Sequence, residues 1–140
     1  MSYADVNGLS LYYAEHGSGE PLVLLHGGFG TGEMFGPVLP ALAAQRRVIA
    51  VDLQAHGRTA DAGRPLRYET MADDVAALIG HLGLVRSDVM GVSMGGGSRC
   101  ARRSSTRRRW TAWCWSRRRS GGTAGPRDRG GDAAVHPRAW

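Results

Sequence analysis

The stretch at residues 87–95 constrains the fold of this chain more than any other. A short apolar run there leads into the pattern Gly-x-Ser-x-Gly at Gly91–Gly95. In this pattern a serine stands on a sharp turn between a strand and a helix, and the crowding of the backbone requires small neighbours. The sequence therefore predicts a strand that delivers Ser93 to the turn, with Gly91 and Gly95 letting the strand and the next helix pass close together.

The chain before this turn alternates between strand-like and helix-like segments. Leu9–Glu15 alternates as an edge strand does, while Pro21–Leu25 and Arg47–Leu53 are apolar runs typical of strands buried on both faces. Helices are predicted over Met34–Ala44, interrupted at its two prolines, and over Thr70–Leu82. This order predicts an α/β fold with a mostly parallel sheet and helices on both of its faces.

Three glycine-rich or polar motifs follow the predicted strands. His26–Gly30 follows the first buried strand, Asp52–Thr59 follows the second, and Ser93 follows the third. Because ligands collect beyond the carboxyl ends of parallel strands, we expect the three motifs to meet in one crevice.

Three motifs of this kind, in this order, resemble the α/β-hydrolase family, and the resemblance covers Leu9 to about Gly97. It implies the N-terminal part of an α/β-hydrolase sheet and a serine hydrolase that acts on an ester, amide, thioester or similar acyl bond of a small molecule. We expect neither a cofactor nor a metal ion.

The resemblance also implies roles for individual residues. Ser93 would be the nucleophile, and the backbone N–H of Met94 would form one half of the oxyanion hole. The other half would come from Gly28 or Phe29. One such donor is typically worth about 3 to 4 kcal/mol of transition-state stabilisation.

The histidines and Asp52 have structural interpretations beside catalytic ones. The resemblance implies that His26, together with Gly27, supports the oxyanion loop, with a role as the catalytic base as the alternative. His56 is interpreted as a residue that packs its loop, and Asp52 as the anchor of its own turn.

Composition divides the chain after Gly97. Residues 1–97 hold six Arg against ten Asp and Glu, whereas residues 98–140 hold twelve Arg against two Asp, all four Trp, and Val135 as the one aliphatic residue larger than Ala. So few apolar side chains cannot offset the entropy cost of ordering the segment. The sequence predicts a truncated hydrolase core at 1–97 and a disordered, basic, Arg/Trp-rich tail at 98–140.

The tail offers no credible acid or base. The family places both after the nucleophile on later strands, and the candidates here are Asp128, Asp132 and His136, with no predicted strand to hold them. A base must be held within hydrogen-bonding reach of the serine. We therefore expect the chain as printed to be inactive.

The tail composition also suggests translation out of frame. The absence of Lys and the single Asn indicate a GC-rich gene, in which reading one nucleotide late turns Ala, Pro and Ser codons ending in CG into Arg, and Leu and Val codons ending in TG into Trp or Cys. Regrouped one nucleotide upstream, the codons for Trp110–Ser116 permit Val-Asp-Arg-Leu-Val-Leu-Val, an aliphatic strand. The slip would lie near Gly97 or Ser98.

Two alternative functions remain open at the level of sequence. The chain could bind a small molecule without catalysis, or Arg107–Arg109 and Arg117–Arg119 with their neighbouring tryptophans could grip nucleic acid non-specifically. A partner nucleic acid of specific sequence is not expected. No signal-peptide pattern and no membrane-length apolar run is evident, so the sequence predicts a cytoplasmic location and leaves the oligomeric state open.

Overall fold

A computed structural model of the protein describes residues 2–101 and 110–115. The strands are β1 (Ser2–Val6), β2 (Leu9–His16), β3 (Glu20–Leu25), β4 (Arg46–Val51), β5 (Ser87–Val92) and β6 (Trp110–Trp115). The helices are α1 (Leu39–Ala43), α2 (Tyr68–His81) and α3 (Met94–Ala101), with a 3-10 turn at Gly32–Phe35. Within this part of the chain no helix is long and apolar enough to cross a membrane.

The strands form one mixed sheet in the order β1-β2-β4-β3-β5-β6. Strands β4, β3, β5 and β6 are neighbours in that order and run parallel. At one side of them β2 pairs antiparallel with β4, and β1 pairs antiparallel with β2. The central strand β3 pairs on both sides, with Leu24 opposite Ala50 on β4 and Met90 on β5. The predicted α/β fold with a mostly parallel sheet is confirmed.

Alternate residues of β3 enter two separate apolar cores. Val23 and Leu25 belong to the larger core, which contains the buried side of α2, while Leu22 and Leu24 belong to a smaller core that packs against α1. Because successive side chains of a strand point to opposite faces, helices cover both faces of the sheet, as predicted.

The helical segment predicted over Met34–Ala44 is interrupted at Pro37, as expected, but not at Pro40, which lies in the first turn of α1. The 3-10 turn ends at Phe35 and α1 begins at Leu39, with Pro37 between them. Proline cannot donate a backbone hydrogen bond and restricts the residue before it, which breaks the helix into two short pieces.

The interpretation of β2 as an edge strand is wrong. β1 pairs with its outer side in antiparallel register, from Val6 opposite Leu9 to Ser2 opposite Tyr13. The connection is the dipeptide Asn7-Gly8, with φ of 50° and 76°. Asn-Gly with two positive φ angles is a strong hairpin signal, and it identifies the strand that the sequence analysis missed.

Two pieces of the segment expected to be disordered have regular backbone, which corrects that expectation for them. α3 continues through Ala101, and β6 pairs in parallel with β5, with Trp113 opposite Met90. Without β6 the outer edge of β5 would leave backbone groups unpaired, and Trp and Thr have high strand propensity. Asp128, Asp132, His136 and both arginine clusters lie outside the described residues.

Candidate active site

Ser93 lies on a strained turn between β5 and α3. Its φ is 49°, a left-handed value that is uncommon for a residue with a side chain, and the residue is exposed. The N–H of Gly97 donates to the carbonyl oxygen of Ser93 at 3.0 Å, so helical hydrogen bonding starts directly after the serine. The side chain therefore stands clear of the sheet at the N-terminus of a helix, where developing negative charge is favoured.

Both glycines of the motif lie where a side chain would collide with backbone. A Cβ at Gly91 would overlap the Gly95 carbonyl group and lie 2.6 Å from the nitrogen of Gly96. A Cβ at Gly95 would lie 2.7 Å from the carbonyl oxygen of His26. The close passage of strand and helix predicted from the sequence is present, and it requires glycine at both positions.

The loop Gly27–Gly32, called the oxyanion loop after the role that the resemblance implies for it, lies beside Ser93. A Cβ at Gly27 would lie 3.6 Å from the Cβ of Ser93, and the N–H of Gly95 donates to the carbonyl oxygen of His26 at 3.1 Å. The predicted meeting of these two motifs is therefore present in the structure.

The oxyanion loop is shaped by a tight turn. The N–H of Gly30 donates to the carbonyl oxygen of Gly27 at 3.1 Å, which closes the turn around Gly28 and Phe29. Phe29 has a φ of 61° and its side chain is fully exposed. A non-glycine residue at such a φ is strained by about 1 to 3 kcal/mol, so the surrounding structure must hold the turn in place.

His26 is fully buried and both of its ring nitrogens have hydrogen-bond partners. The N–H of Leu53 donates to Nε2 at 2.9 Å, and Nδ1 lies 2.7 Å from the carbonyl oxygen of Gly27. Since a backbone N–H can only donate, Nε2 must be the acceptor and Nδ1 carries the proton. Burial lowers the pKa of His26 below its usual value, and the nearby ring of His56 also lowers it. The hydrogen bond to Gly27 raises the pKa but does not outweigh burial.

Two further histidines, His56 and His81, are not positioned at Ser93. Nδ1 of His56 lies 2.8 Å from the carbonyl oxygen of Gln54, two residues before it. His81 is the last residue of α2, and the first residue, Tyr68, lies next to Gly97 near the elbow. Because a helix rises about 1.5 Å per residue, His81 lies about 20 Å from Tyr68.

A pocket of about 460 Å³ opens beside the elbow, between the first turns of α2 and α3. It is lined by Leu66, Arg67, Tyr68, Glu69, Met71 and Met94. Except for Met94, these residues were missed by the sequence analysis, because nothing in the sequence indicates that the ring of Tyr68 packs against Gly97. The volume is within the range of small-molecule sites.

Met34 and Phe35, which follow the oxyanion loop, have different surroundings. Phe35 is buried in the smaller core, whereas Met34 is half exposed and its sulfur accepts from the N–H of Gly27 at 3.4 Å.

Among residues 2–101 and 110–115, no group of three His, Cys, Asp or Glu side chains is arranged to hold a metal ion.

Comparison with known proteins finds similarity to the alpha/beta hydrolase fold family. A sequence profile of the alpha/beta hydrolase fold matches residues 20–99. The chain is 43% identical over 96 residues to the soluble epoxide hydrolase of Corynebacterium sp. (strain C12), an alignment that covers 66% of this chain and 32% of that protein. It is also 43% identical over 97 residues to the dihydrolipoyllysine-residue acetyltransferase component of the acetoin cleaving system of Pseudomonas putida, covering 66% and 26%.

Solved structures show the same similarity. Epoxide hydrolase CorEH superposes with a TM-score of 0.76 at 35% identity, over 80% of this chain and 40% of its own. Est816, an N-acyl homoserine lactone degrading enzyme, superposes with a TM-score of 0.72 at 27% identity, over 77% and 42%. The chain thus spans about a third or less of these curated relatives and about two fifths of these solved chains.

Proposed function

The chain belongs to the α/β-hydrolase fold family, and from that premise we propose that it is the N-terminal part of a serine hydrolase acting on an ester or related acyl bond of a small molecule. One observation carries the proposal: the exposed Ser93 has a φ of 49° at the start of α3, directly beside the oxyanion loop. Relatives named as epoxide hydrolase, esterase and lactone-degrading enzyme support a small-molecule substrate.

In the proposed reaction the oxygen of Ser93 attacks the acyl carbon of the substrate, while a base takes the hydroxyl proton and later gives it to the leaving group. The carbonyl oxygen of the substrate becomes an oxyanion, which the backbone N–H of Met94 and that of Gly28 or Phe29 stabilise by hydrogen bonds. The N-terminus of α3 adds a favourable electrostatic contribution. Collapse of the tetrahedral intermediate releases the leaving group and leaves an acyl-enzyme, which water then hydrolyses.

We infer that the part of the chain that the structure describes supplies no base for this reaction. His26 is buried and both of its ring nitrogens are hydrogen-bonded to backbone groups, which supports its interpretation as a residue that stabilises the oxyanion loop. His56 is bonded to its own loop, and His136 lies outside the described residues. Without a base the serine hydroxyl is a weak nucleophile, so turnover should be absent.

The test uses two proteins, the printed chain and a version in which the upstream reading frame is restored after Gly97. The restored protein should react with a fluorophosphonate probe and hydrolyse a p-nitrophenyl ester, and Ser93→Ala should abolish both activities. Ser10→Ala, at an exposed position on β2, is the matched control. Probe labelling that survives Ser93→Ala, or restored protein that never labels, overturns the proposal. Serine-dependent turnover by the printed chain would overturn its inferred inactivity.

We further propose that residues from about Ser98 onward are translated out of frame. The parallel pairing of β6 with β5 supports this. Strand β6 consists of Trp110–Trp115, and the codons for these residues, regrouped one nucleotide upstream, permit an aliphatic strand. Three tryptophans in six residues are an unusual composition for a parallel strand, which ordinarily consists of Val, Ile and Leu. Resequencing the gene across Gly96–Trp115 should find an added or lost nucleotide. A confirmed frame, with an upstream frame that soon stops, would contradict the proposal.

A cytoplasmic location remains part of the proposal. Fractionation of the source cells, followed by detection with an antibody against residues 1–97, should find the chain with cytoplasmic markers. Its recovery in the membrane or secreted fraction would contradict that location.

A further inference from the structure

Asp52 is a buried carboxylate that the proposed reaction does not use. It follows β4 directly and is 1% exposed. A carboxylate removed from water is strongly unfavourable unless it is paired or hydrogen-bonded. Its bonding partners therefore indicate what it stabilises.

Both carboxylate oxygens of Asp52 accept hydrogen bonds from backbone N–H groups. Oδ1 accepts from Gly32 at 2.6 Å, and Oδ2 accepts from Arg58 at 3.0 Å. The carboxylate fills the space between these two segments: a Cβ at Gly57 would lie 2.7 Å from its Cγ, and one at Gly32 would lie 3.3 Å from Oδ1. Asp52 thus joins its own turn to a second segment twenty residues earlier in the chain.

The side chain of Arg58 is not the main partner of this carboxylate. Its Nη1 lies 3.9 Å from Oδ2, whereas its Nη2 lies 2.5 Å from Oε1 of Glu33, and the Arg58 side chain is 43% exposed. The short bonds of Asp52 are those to backbone N–H groups, so its contribution is to backbone geometry.

The second segment that Asp52 contacts is the oxyanion loop. Gly32 is the last residue of that loop, and the first residue, Gly27, follows His26, whose ring accepts from the N–H of Leu53. Two consecutive residues after β4 therefore hold the loop, Leu53 at its start and Asp52 at its end. Between these anchors lies Phe29 at its strained φ of 61°, which persists only where the surroundings fix it.

We propose that Asp52 is a positioning residue for the oxyanion hole: by holding the N–H of Gly32, its carboxylate fixes the turn that aims the backbone N–H groups of Gly28 and Phe29. The proposal rests on the proposed serine hydrolase function for its consequence in catalysis. The anchoring itself is a property of this chain and can be measured without turnover.

The experiment measures amide hydrogen exchange by NMR in the ¹⁵N-labelled chain and its variants. In Asp52→Ala, exchange at Gly32 and across Gly28–Gly30 should rise about tenfold or more, while exchange in α2 changes little, because a hydrogen bond to a charged group is lost locally. A role confined to general stability would raise exchange in α2 by the same factor. Unchanged exchange in the oxyanion loop, or an equal rise everywhere, overturns the proposal.

Matched variants separate the two halves of the anchor. Asp52→Asn keeps one acceptor oxygen and presents an NH₂ group to the other N–H, so it should keep only one of the amides of Gly32 and Arg58 protected. Asp61→Asn changes a carboxylate in the same connection that bonds Gln54 instead, and it should change loop exchange less than about twofold. A loop response to Asp61→Asn equal to that of Asp52→Ala would contradict a specific role for Asp52.

The unmodified chain decides the question if the Asp52 variants do not fold. A scalar coupling across the hydrogen bond, from the nitrogen of Gly32 to the carboxyl carbon of Asp52, should be detectable, and its absence overturns the proposal. Failure of the hydrolase proposal has a different signature. In that case the restored protein shows no Ser93-dependent labelling, although the exchange pattern of the oxyanion loop is as expected.

Discussion

The backbone N–H of Leu53 donates a hydrogen bond to Nε2 of His26 at 2.9 Å, across 27 positions of sequence. This bond requires a neutral imidazole, because protonated Nε2 has no lone pair to offer. His26 is fully buried, so a hydrogen bond to water does not replace the lost bond. We therefore expect His26, which bonds the backbone at Gly27 and Leu53, to make the fold sensitive to acid.

We predict that the free energy of unfolding falls as the pH drops below about 6.5, the usual pKa of histidine in an unfolded chain. Burial lowers the pKa of His26 in the folded state, so the unfolded state binds the proton more readily and gains population as the pH falls. The loss continues down to the folded-state pKa, at a rate of about 1.4 kcal/mol per pH unit at most.

Urea unfolding between pH 5 and pH 8 measures this dependence. His26→Gln should be less stable throughout and should lose the slope below about pH 6.5. His16→Gln, at the exposed end of β2, should keep it. A slope that survives His26→Gln would show that another group is responsible.

Ser93→Gly should stabilise the chain. Its φ of 49° suits glycine, and the relief of about 1 to 3 kcal/mol of backbone strain exceeds the roughly 0.5 to 1 kcal/mol of extra chain entropy that glycine loses on folding. A gain of about 1 kcal/mol in urea unfolding is expected. Ser10→Gly, in the extended backbone of β2, should be destabilising instead. Equal losses in both variants would show that Ser93 is not strained.

Gly95→Ala should destabilise the chain by about 3 kcal/mol or more, because the new Cβ would meet the backbone of Leu25 and His26 and neither can move without disrupting β3. Gly80→Ala is the control: it lies on the exposed side of α2 with no atom within 4 Å of the added Cβ, and it should add about 0.5 to 1 kcal/mol. Thermal or urea unfolding of the two variants gives the comparison. A Gly95→Ala chain as stable as the parent would contradict the close approach at the elbow.

Asp74→Ala should cost about 3 to 5 kcal/mol in urea unfolding. The carboxylate is 1% exposed and accepts from Nη2 of Arg64 at 2.5 Å and from Nδ2 of Asn7 at 3.0 Å, so its loss leaves a partly buried guanidinium without its carboxylate partner. Glu15→Ala breaks the more exposed pair with Arg47 and should cost about 1 kcal/mol or less. Comparable losses in the two variants would contradict the distinction by burial.

The sequence by itself determined the elbow, the buried strands and the order of the three motifs. Each depends on neighbours in the chain: the crowding at Ser93 depends on glycines two residues away, and an apolar run such as Pro21–Leu25 can only be a buried element. The hairpin at Asn7-Gly8 is also local, and its signal was present in the sequence although the strand before it was missed.

Only the tertiary structure decided the contacts between motifs. That Asp52 accepts from Gly32, that Leu53 donates to His26 and that Tyr68 covers Gly97 depend on the register of β3 against β4 and on the packing of α2 against α3. Such contacts join positions twenty or more residues apart, and many pairings of the same residue types satisfy the local patterns equally well. The sequence placed chemically capable residues at the carboxyl ends of strands, and the fold selected which of them became partners.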